Sequence, residues 1–301
     1  MRQKLRAKGE KKEEDMEELD NRINEKLLDG EALTPMDKVL LARHIRRPKI
    51  QDYVQALFTD FFEQKGDMLG KEDRSIYGGI ARFHDIPVTV IGHRKGNSLE
   101  ENVQCNFGMP GPEGYRKALR MMKQAEKFGR PVITFIDTPG AYPGIEAEQF
   151  GQSQAIARNL AAMSSLAVPI IAVVTGEGSS GGALAIGVAD RVFMLENAVY
   201  SILSPEGFSA ILWGDSTKKE KASEVMKLTA QDLLELGVID GIAAEPAGGA
   251  QRNPERVFEE LDALLYSELK VLRQKSGGEL SRERYRKFRM MDEVYRKEAK
   301  A

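Results

Sequence analysis

An α/β fold with a largely parallel central sheet is what this sequence predicts, and three observations carry the reading. Strand and helix periodicities alternate through the middle of the chain. The segments PVITFID and VPIIAVVT are short apolar runs of the kind buried on both faces. Each leads into a glycine-rich turn, DTPGAYPG and GEGSSGG. Strands alternating with helices need crossover connections, and crossovers make neighbouring strands parallel.

Residues 1–47 are charge-dense and read as a helical arm. Leu19, Ile23 and Leu27, at four-residue spacing, give it one narrow apolar seam suited to a solvated helix or to a docking partner. Thr34 and Pro35 are an N-cap and first helical position for a helix through Val39, Leu40 and His44. Pro48 opens a third helix whose Ile50, Tyr53, Val54, Leu57, Phe58 and Phe61 form a broad core face. SIYGGIARF and IPVTVIG, joined at His84 and Asp85, form an antiparallel hairpin. Residues 112–128 are helical and stopped by Gly129; PVITFID is a strand; 148–166 form a helix; VPIIAVVT is the next strand. GGALAIGV starts a short helix, and RVFML and VYSIL are strands. Helices at 204–213 and 218–236, a strand in VIDGIAAE, and long charged helices at 254–274 and 282–300 complete the chain. The expected organisation is an arm at 1–47, a core at 48–275 and a C-terminal helix within 276–301.

With 44 basic and 46 acidic residues the net charge is −2, which leaves no global field to recruit nucleic acid or an anionic membrane. Cys105 is the sole cysteine, excluding an internal disulfide and a zinc site built from this chain's thiolates. The stretch MRQKLRAKGEKKEEDMEELDN lacks an apolar run, and no segment approaches the ~18 apolar residues of a spanning helix. A cytoplasmic location is the expectation.

The turn GEGSSGGA satisfies three motifs. Gly176, Gly178 and Gly181 spell G-x-G-x-x-G, with Glu196 twenty positions beyond Gly176, as in a dinucleotide fingerprint. The helix that follows is too short for the usual crossover, and the unit comes after other βα units rather than opening the series. Gly178, Ser180 and Gly182 spell G-x-S-x-G, a nucleophile elbow, but that elbow takes its histidine from later in the chain. His44, His84 and His93 all precede it. A third reading needs no side chain: amides around Gly181, Gly182 and Ala183, at a helix start, stabilise negative charge on a carbonyl oxygen. A plain packing turn would look similar, yet a second glycine turn follows another strand. Two such turns beyond successive parallel strands can line one crevice. In that second turn Pro139 and Pro143 stiffen the chain, and Gly140 and Gly144 bring backbone close. Glu146 and Glu148 beyond it suit an acid–base pair, though Glu148 also suits a helix start.

Three stretches are more specific: NFGMPGPEGYRKALRMMKQAEKFGRPVITFIDTPGAYPG, GQSQAIARNLAAMSSLAVPIIAVVTGEGSSGGALAIGVADRVFMLENAVYSILSPEGFSAILW and LTAQDLLELGVIDGIAAEPAGGAQRNP. With RPKIQDYVQALFTDFFEQKGD, they make about residues 33–290 resemble the carboxyltransferase alpha subunit of the multisubunit acetyl-CoA carboxylase. The resemblance implies a crotonase-type fold of repeated ββα units with helical extensions at both ends. It implies pairing with a homologous beta subunit as α2β2 and transfer of a carboxyl group from carboxybiotin, on a biotin carboxyl carrier protein, to acetyl-CoA, giving malonyl-CoA for fatty acid synthesis. Biotin carboxylase, the carrier and the zinc of the beta subunit then lie on other chains, with no metal in this one.

By the same resemblance the oxyanion amides fall on Gly182 and Ala183, with Gly181 completing the turn. Gly176, Gly178, Gly140, Ala141, Tyr142, Pro143 and Gly144 line the biotin side. If carboxybiotin releases CO2, its ureido oxygen gains the negative charge those amides stabilise, and no protein base is required. The sequence departs from the family pattern at Ser179, at Gln149–Phe150 and at Gln251, which stand for a glycine, a Glu-Arg pair and a histidine. A lone crotonase-type hydratase or isomerase using Glu146 or Glu148 is the alternative.

Overall fold

A computed structural model describes residues 2–291. The arm is α1 (Arg2–Leu28) followed by α2 (Pro35–Ala42), which Thr34 caps in a reciprocal capping box with Asp37. The α1 seam docks on its own chain: Leu19 and Ile23 are buried against Leu41, while Leu27 stays partly exposed. Asp37 fastens this contact by accepting from Arg22 Nη2 at 2.9 Å and Lys26 Nζ at 2.7 Å. Next come α3 (Ile50–Leu57) and β1 (Thr59–Glu63). The structure thus ends the third helix earlier than expected and puts Phe61 on an edge strand. There Thr59 pairs with Arg82, and Phe61 packs on Tyr77.

The hairpin forms as expected from β2 (Ile76–Phe83) and β3 (Ile86–His93), with His84 at φ 45° and Asp85 at φ 62° in the left-handed turn such a hairpin needs. Then follow α4 (Leu99–Gln104), α5 (Pro112–Lys127) and β4 (Val132–Thr138). The helix expected at 148–166 is two: α6 (Ile145–Gln149) and α7 (Gln152–Ser165), separated by Gly151 at φ 84°. After β5 (Ile170–Ser179) come α8 (Ser180–Leu184), β6 (Arg191–Leu195), β7 (Val199–Ser201) and α9 (Pro205–Trp213), the last capped by Ser204. The helix expected at 218–236 is also broken, into α10 (Lys219–Val225) and α11 (Ala230–Glu235), because Lys227 turns left-handed and Thr229 caps anew. Finally β8 (Gly241–Ala243), α12 (Pro254–Leu272) and α13 (Gly277–Met290) close the chain. The part of the C-terminal helix expected at 292–300 lies outside the described residues.

Seven strands run in the order β1-β2-β3-β4-β5-β6-β8, with β7 pairing on β5. The β1–β2 and β2–β3 pairings are antiparallel and every later strand pairing is parallel. β4 and β5 sit at the centre, and their Ile133, Phe135, Ile171, Val173 and Val174 are buried, as strands covered on both faces must be.

Two buried arginines tie peripheral segments to this sheet. Arg284 of α13 donates to both carboxylate oxygens of Asp190 at 2.8 and 2.9 Å and to the carbonyls of Met163, Leu166 and Val168. Arg47 donates to Glu245 through a bidentate pair and to the Thr175 carbonyl at 2.5 Å. Removing one partner of such a pair leaves the other charge buried alone. Arg284→Leu is therefore expected to lower unfolding free energy by about 3–5 kcal/mol, read from urea denaturation; a shift within 1 kcal/mol would contradict the pinning role.

Candidate functional site

The site is built at the carboxyl ends of β4 and β5. Beyond β4 the turn through Pro139, Gly140, Ala141, Tyr142, Pro143 and Gly144 is held by the Thr138 side chain, by the Pro110 carbonyl just before α5 and by α7. Gly140 N donates to Thr138 Oγ1 at 3.0 Å, Tyr142 N to the Pro110 carbonyl at 3.0 Å, and Gln152 Nε2 to the Tyr142 carbonyl at 3.0 Å. A Cβ on Gly144 would lie 2.4 Å from the Tyr142 ring, so the tyrosine folds over its own turn.

The second turn begins later than its glycines suggest. β5 stays extended through Gly176, Glu177, Gly178 and Ser179, because Glu177, Gly178 and Ser179 pair with Val199, Tyr200 and Ser201 of β7. Gly176 and Gly178 are thus strand residues rather than turn residues. Gly176 makes room for Asp137, whose Oδ1 would stand 2.3 Å from a Cβ there, and Gly178 makes room for the Tyr200 ring at 3.0 Å. The reversal falls on Ser180, at φ 56°, a backbone state costly for a side-chain-bearing residue. Immediately after it α8 supplies first-turn amides that have no partner within the helix.

The two turns meet. A Cβ on Gly182 would lie 2.5 Å from the Ala141 nitrogen and 2.6 Å from the Gly140 carbonyl carbon, so the α8 main chain rests directly on the first turn. Ala183 is buried, whereas Gly181 is half-buried, with the Ile156 side chain 3.6 Å from where its Cβ would stand. Beside Ser180 and Gly181 opens a cavity of about 520 Å³, walled by Leu184, Tyr200, Ile202, Phe208, Met226 and Leu233. A second cavity, of about 680 Å³, lies over Arg43, Lys49, Lys95, Asp137 and Glu177 and is lined by charge.

The other sequence signatures dissolve. Glu196 accepts from the Glu245 amide at 3.1 Å, committed to the protein rather than to a ribose, and α8 has five residues. None of the three histidines hydrogen-bonds Ser180: His84 pairs with Asp262 at 2.9 Å, His44 Nδ1 accepts from the Arg46 amide, and His93 is buried beside the Gly182 main chain. Glu146 and Glu148 are exposed on α6. Among the described residues no group of three or more His, Cys, Asp or Glu side chains is arranged to hold a metal ion, and no helix is long and apolar enough to cross a membrane.

Sequence reasoning missed a charged cluster behind the turns. Lys95 Nζ lies 2.7 Å from Asp137 Oδ1 and 2.9 Å from Glu177 Oε1, and Glu177 N donates to the same Asp137 oxygen at 3.1 Å. Arg43 Nε donates to Glu177 Oε2 at 2.9 Å and Arg43 Nη1 to Glu206 Oε1 at 3.0 Å. Burial alone would lower the Lys95 ammonium, but the two carboxylates outweigh it and raise it above its ordinary value. Burial likewise opposes the Glu177 carboxylate, and Lys95 with Arg43 outweighs it and holds Glu177 below its usual range. The one trace of it in the sequence is a basic residue, Lys95, and two acidic ones, Asp137 and Glu177, each at or just past the end of an apolar strand.

Several solved structures share this fold. Similar to this chain are transcarboxylase 12S (TM-score 0.57, 20% identity, 73% of this chain and 42% of that one) and a Pseudomonas malonate decarboxylase hetero-tetramer in complex with coenzyme A. The latter gives TM-score 0.60 and 16% identity over 73% of this chain and 86% of that one. At these identities the likeness shows the fold, a crotonase-type one. At the level of sequence, residues 1–292 match the family described as acetyl co-enzyme A carboxylase carboxyltransferase-like. Relatives named acetyl-coenzyme A carboxylase carboxyl transferase subunit alpha include that of Geobacillus kaustophilus, 53% identical over 96% of this chain and 87% of its own. That of Listeria monocytogenes is 55% identical over 85% and 81%. The chain belongs to this alpha-subunit family.

His93 provides a test of the packing beneath the turns. Burial pushes its imidazolium down to about 3 from 6.5, with the Gly182 main chain opposing and Lys95 reinforcing. The neutral ring is therefore the folded form, and stability is complete above about 6.5 and falls as pH drops from there toward 3. Urea midpoints should decrease between pH 7.5 and 5, and His93→Gln should flatten the slope, with the buried His44 supplying what remains. Equal slopes in both proteins would exclude His93 as the source.

Proposed function

We propose that this chain is the alpha half of a biotin-dependent carboxyltransferase that transfers a carboxyl group from carboxybiotin, on a separate carrier protein, to acetyl-CoA to give malonyl-CoA. It works in the cytoplasm, paired with a beta subunit as α2β2 and supplied by biotin carboxylase and biotin carboxyl carrier protein; the zinc belongs to the beta subunit. The observation that carries the reading is the seat of Gly182 on Gly140 and Ala141, which brings main-chain groups of two turns to one point with no acid or base side chain between them.

The residues present fit a biotin. The cavity beside Gly181 is mostly apolar, as a thioether-containing ring requires, and the amides at its rim suit a ureido oxygen. When bound, carboxybiotin supplies the transferable carboxyl group. This chain's part is electrostatic: amides of Gly182 and Ala183, with Gly181 completing the turn, hold negative charge on a carbonyl oxygen. The α8 dipole reinforces them, and the fixed turn needs no reorganisation as charge develops. Gly140 and Ala141 of the first turn support Gly182 from behind, with Tyr142, Pro143 and Gly144 completing that turn, and Leu184, Phe208 and Met226 line the cavity and exclude water. Ile202, Ile211 and Leu212 are exposed on and next to α9, beside the cavity that Ile202 and Phe208 line, an apolar rim that a partner subunit would cover.

The chain alone is expected to be inactive, and addition of the beta subunit with a biotinylated carrier to restore malonyl-CoA formation. Hydration of crotonyl-CoA by the lone chain would overturn the proposal in favour of a hydratase. Gly182→Val drives a side chain into the Ala141 backbone; the expected result is intact assembly by sedimentation with kcat reduced about 10²–10³-fold. Unchanged turnover in the folded variant would remove the oxyanion role.

A further inference from the structure

The ladder between β4 and β5 breaks just before both turns. Ile136 faces Val174, but Thr138 faces Gly178, so β5 carries two extra residues over this step. Within the step Asp137 on β4 and residues 175–177 on β5 have no partner in the β4–β5 ladder, so backbone pairing between these strands does not hold the step itself. Side chains take over. Asp137 Oδ1 accepts the Glu177 amide at 3.1 Å, Arg47 Nε donates to the Thr175 carbonyl at 2.5 Å, and Lys95 Nζ bridges Asp137 and Glu177 at 2.7 and 2.9 Å. Ammonium, carboxylates and main chain thus close a ring that crosslinks β4 to β5 three residues before Gly140 and four before Gly181. Arg43 extends the ring from Glu177 to Glu206 on α9, the helix that walls the apolar cavity with Phe208.

We propose that Lys95 is a positioning residue for carboxyl transfer: with Asp137 and Glu177 it sets the register across the irregular step, and so the spacing between the Gly140–Ala141 turn and the Gly181–Ala183 amides. The inference rests on the carboxyltransferase reading above and adds a role for a residue that touches no reacting atom. Lys95 borders the charged cavity, but its ammonium is committed to two carboxylates and its stem packs where a Cβ on Gly108 would stand 2.9 Å away. A misplacement of about 1 Å between groups that act on one atom costs on the order of 10²-fold in rate, without a matching loss of substrate binding.

The test uses the complex reconstituted with the beta subunit and a biotinylated carrier. Lys95→Met is expected to lower kcat about 100-fold with KM for acetyl-CoA within about threefold. Amide hydrogen exchange should quicken in peptides spanning residues 139–144 and 179–185 while the β2–β3 hairpin exchanges as before. Should Lys95→Met fail to fold because two carboxylates are left facing each other, the triple variant Lys95→Met, Asp137→Asn, Glu177→Gln removes the unpaired charge and is expected to show the same split. Normal kcat in either folded variant overturns the proposal. So does exchange that quickens evenly over the whole chain, which would mark Lys95 as a general stabiliser. If the wild-type complex transfers no carboxyl group, the functional reading fails on that measurement, while the exchange pattern still decides whether Lys95 sets the spacing of the turns.

Discussion

The site depends on one irregularity, the step at which β5 gains two residues on β4. A regular parallel ladder would carry both strands outward in register and leave their turns a strand spacing apart, about 4.8 Å. The extra residues let β5 run on, pair with β7, and reverse at Ser180 so that Gly182 comes down on Gly140 and Ala141. An interrupted ladder exposes amides and carbonyls in a dry interior, where each unpaired group is costly. The structure answers with charged side chains: Asp137 takes the Glu177 amide and Arg47 supplies the Thr175 carbonyl.

Charges in such a place bring their own cost. Burial disfavours Lys95, Glu177, Arg47 and Glu245 alike, and each stays ionised because its partners outweigh desolvation. Glu245 also accepts from the amides of Asn197 and Ala250, so that its lone pairs are used on several sides. A hydrophobic replacement would stabilise the core as well, but it could not cap backbone groups in a broken ladder. The arm at the N-terminus follows from this need: α2 and the segment after it deliver Arg43 and Arg47 to β5, and the Leu19 and Ile23 seam of α1 holds α2 from outside.

Much of this was legible in the residues. The hairpin at His84 and Asp85, the two apolar strands and the placement of a glycine turn after each follow from local pattern, because turn chemistry and burial on both faces act within a few residues. What escaped was long-range. Phe61 continues a helical apolar spacing yet belongs to β1, because pairing with the hairpin overrides periodicity. Gly176 and Gly178 spell a turn and form a strand, since β7 extends the ladder and Asp137 and Tyr200 need the space. The break at Gly151 was visible as a glycine, but only its φ of 84° shows that the chain reverses hand there. The Lys95 cluster spans residues 43 to 206, and no local rule joins them.

The departures from the family pattern make physical sense once conformation is separated from contact. Ser179 stands for a glycine, but it sits at φ −117°, paired with Ser201, where any residue is comfortable. The left-handed position is the next one, Ser180, and the crowded one is Gly182. Phe150 lies exposed under Lys71, whose Nζ is 3.7 Å from the ring centroid, a cation–π contact. Gln251, in place of a histidine, donates to the Gly248 carbonyl at 2.8 Å and closes its own loop. Among these positions the packing constraint is sharpest at Gly182, where a Cβ would stand 2.5 Å from the Ala141 nitrogen and two backbones touch.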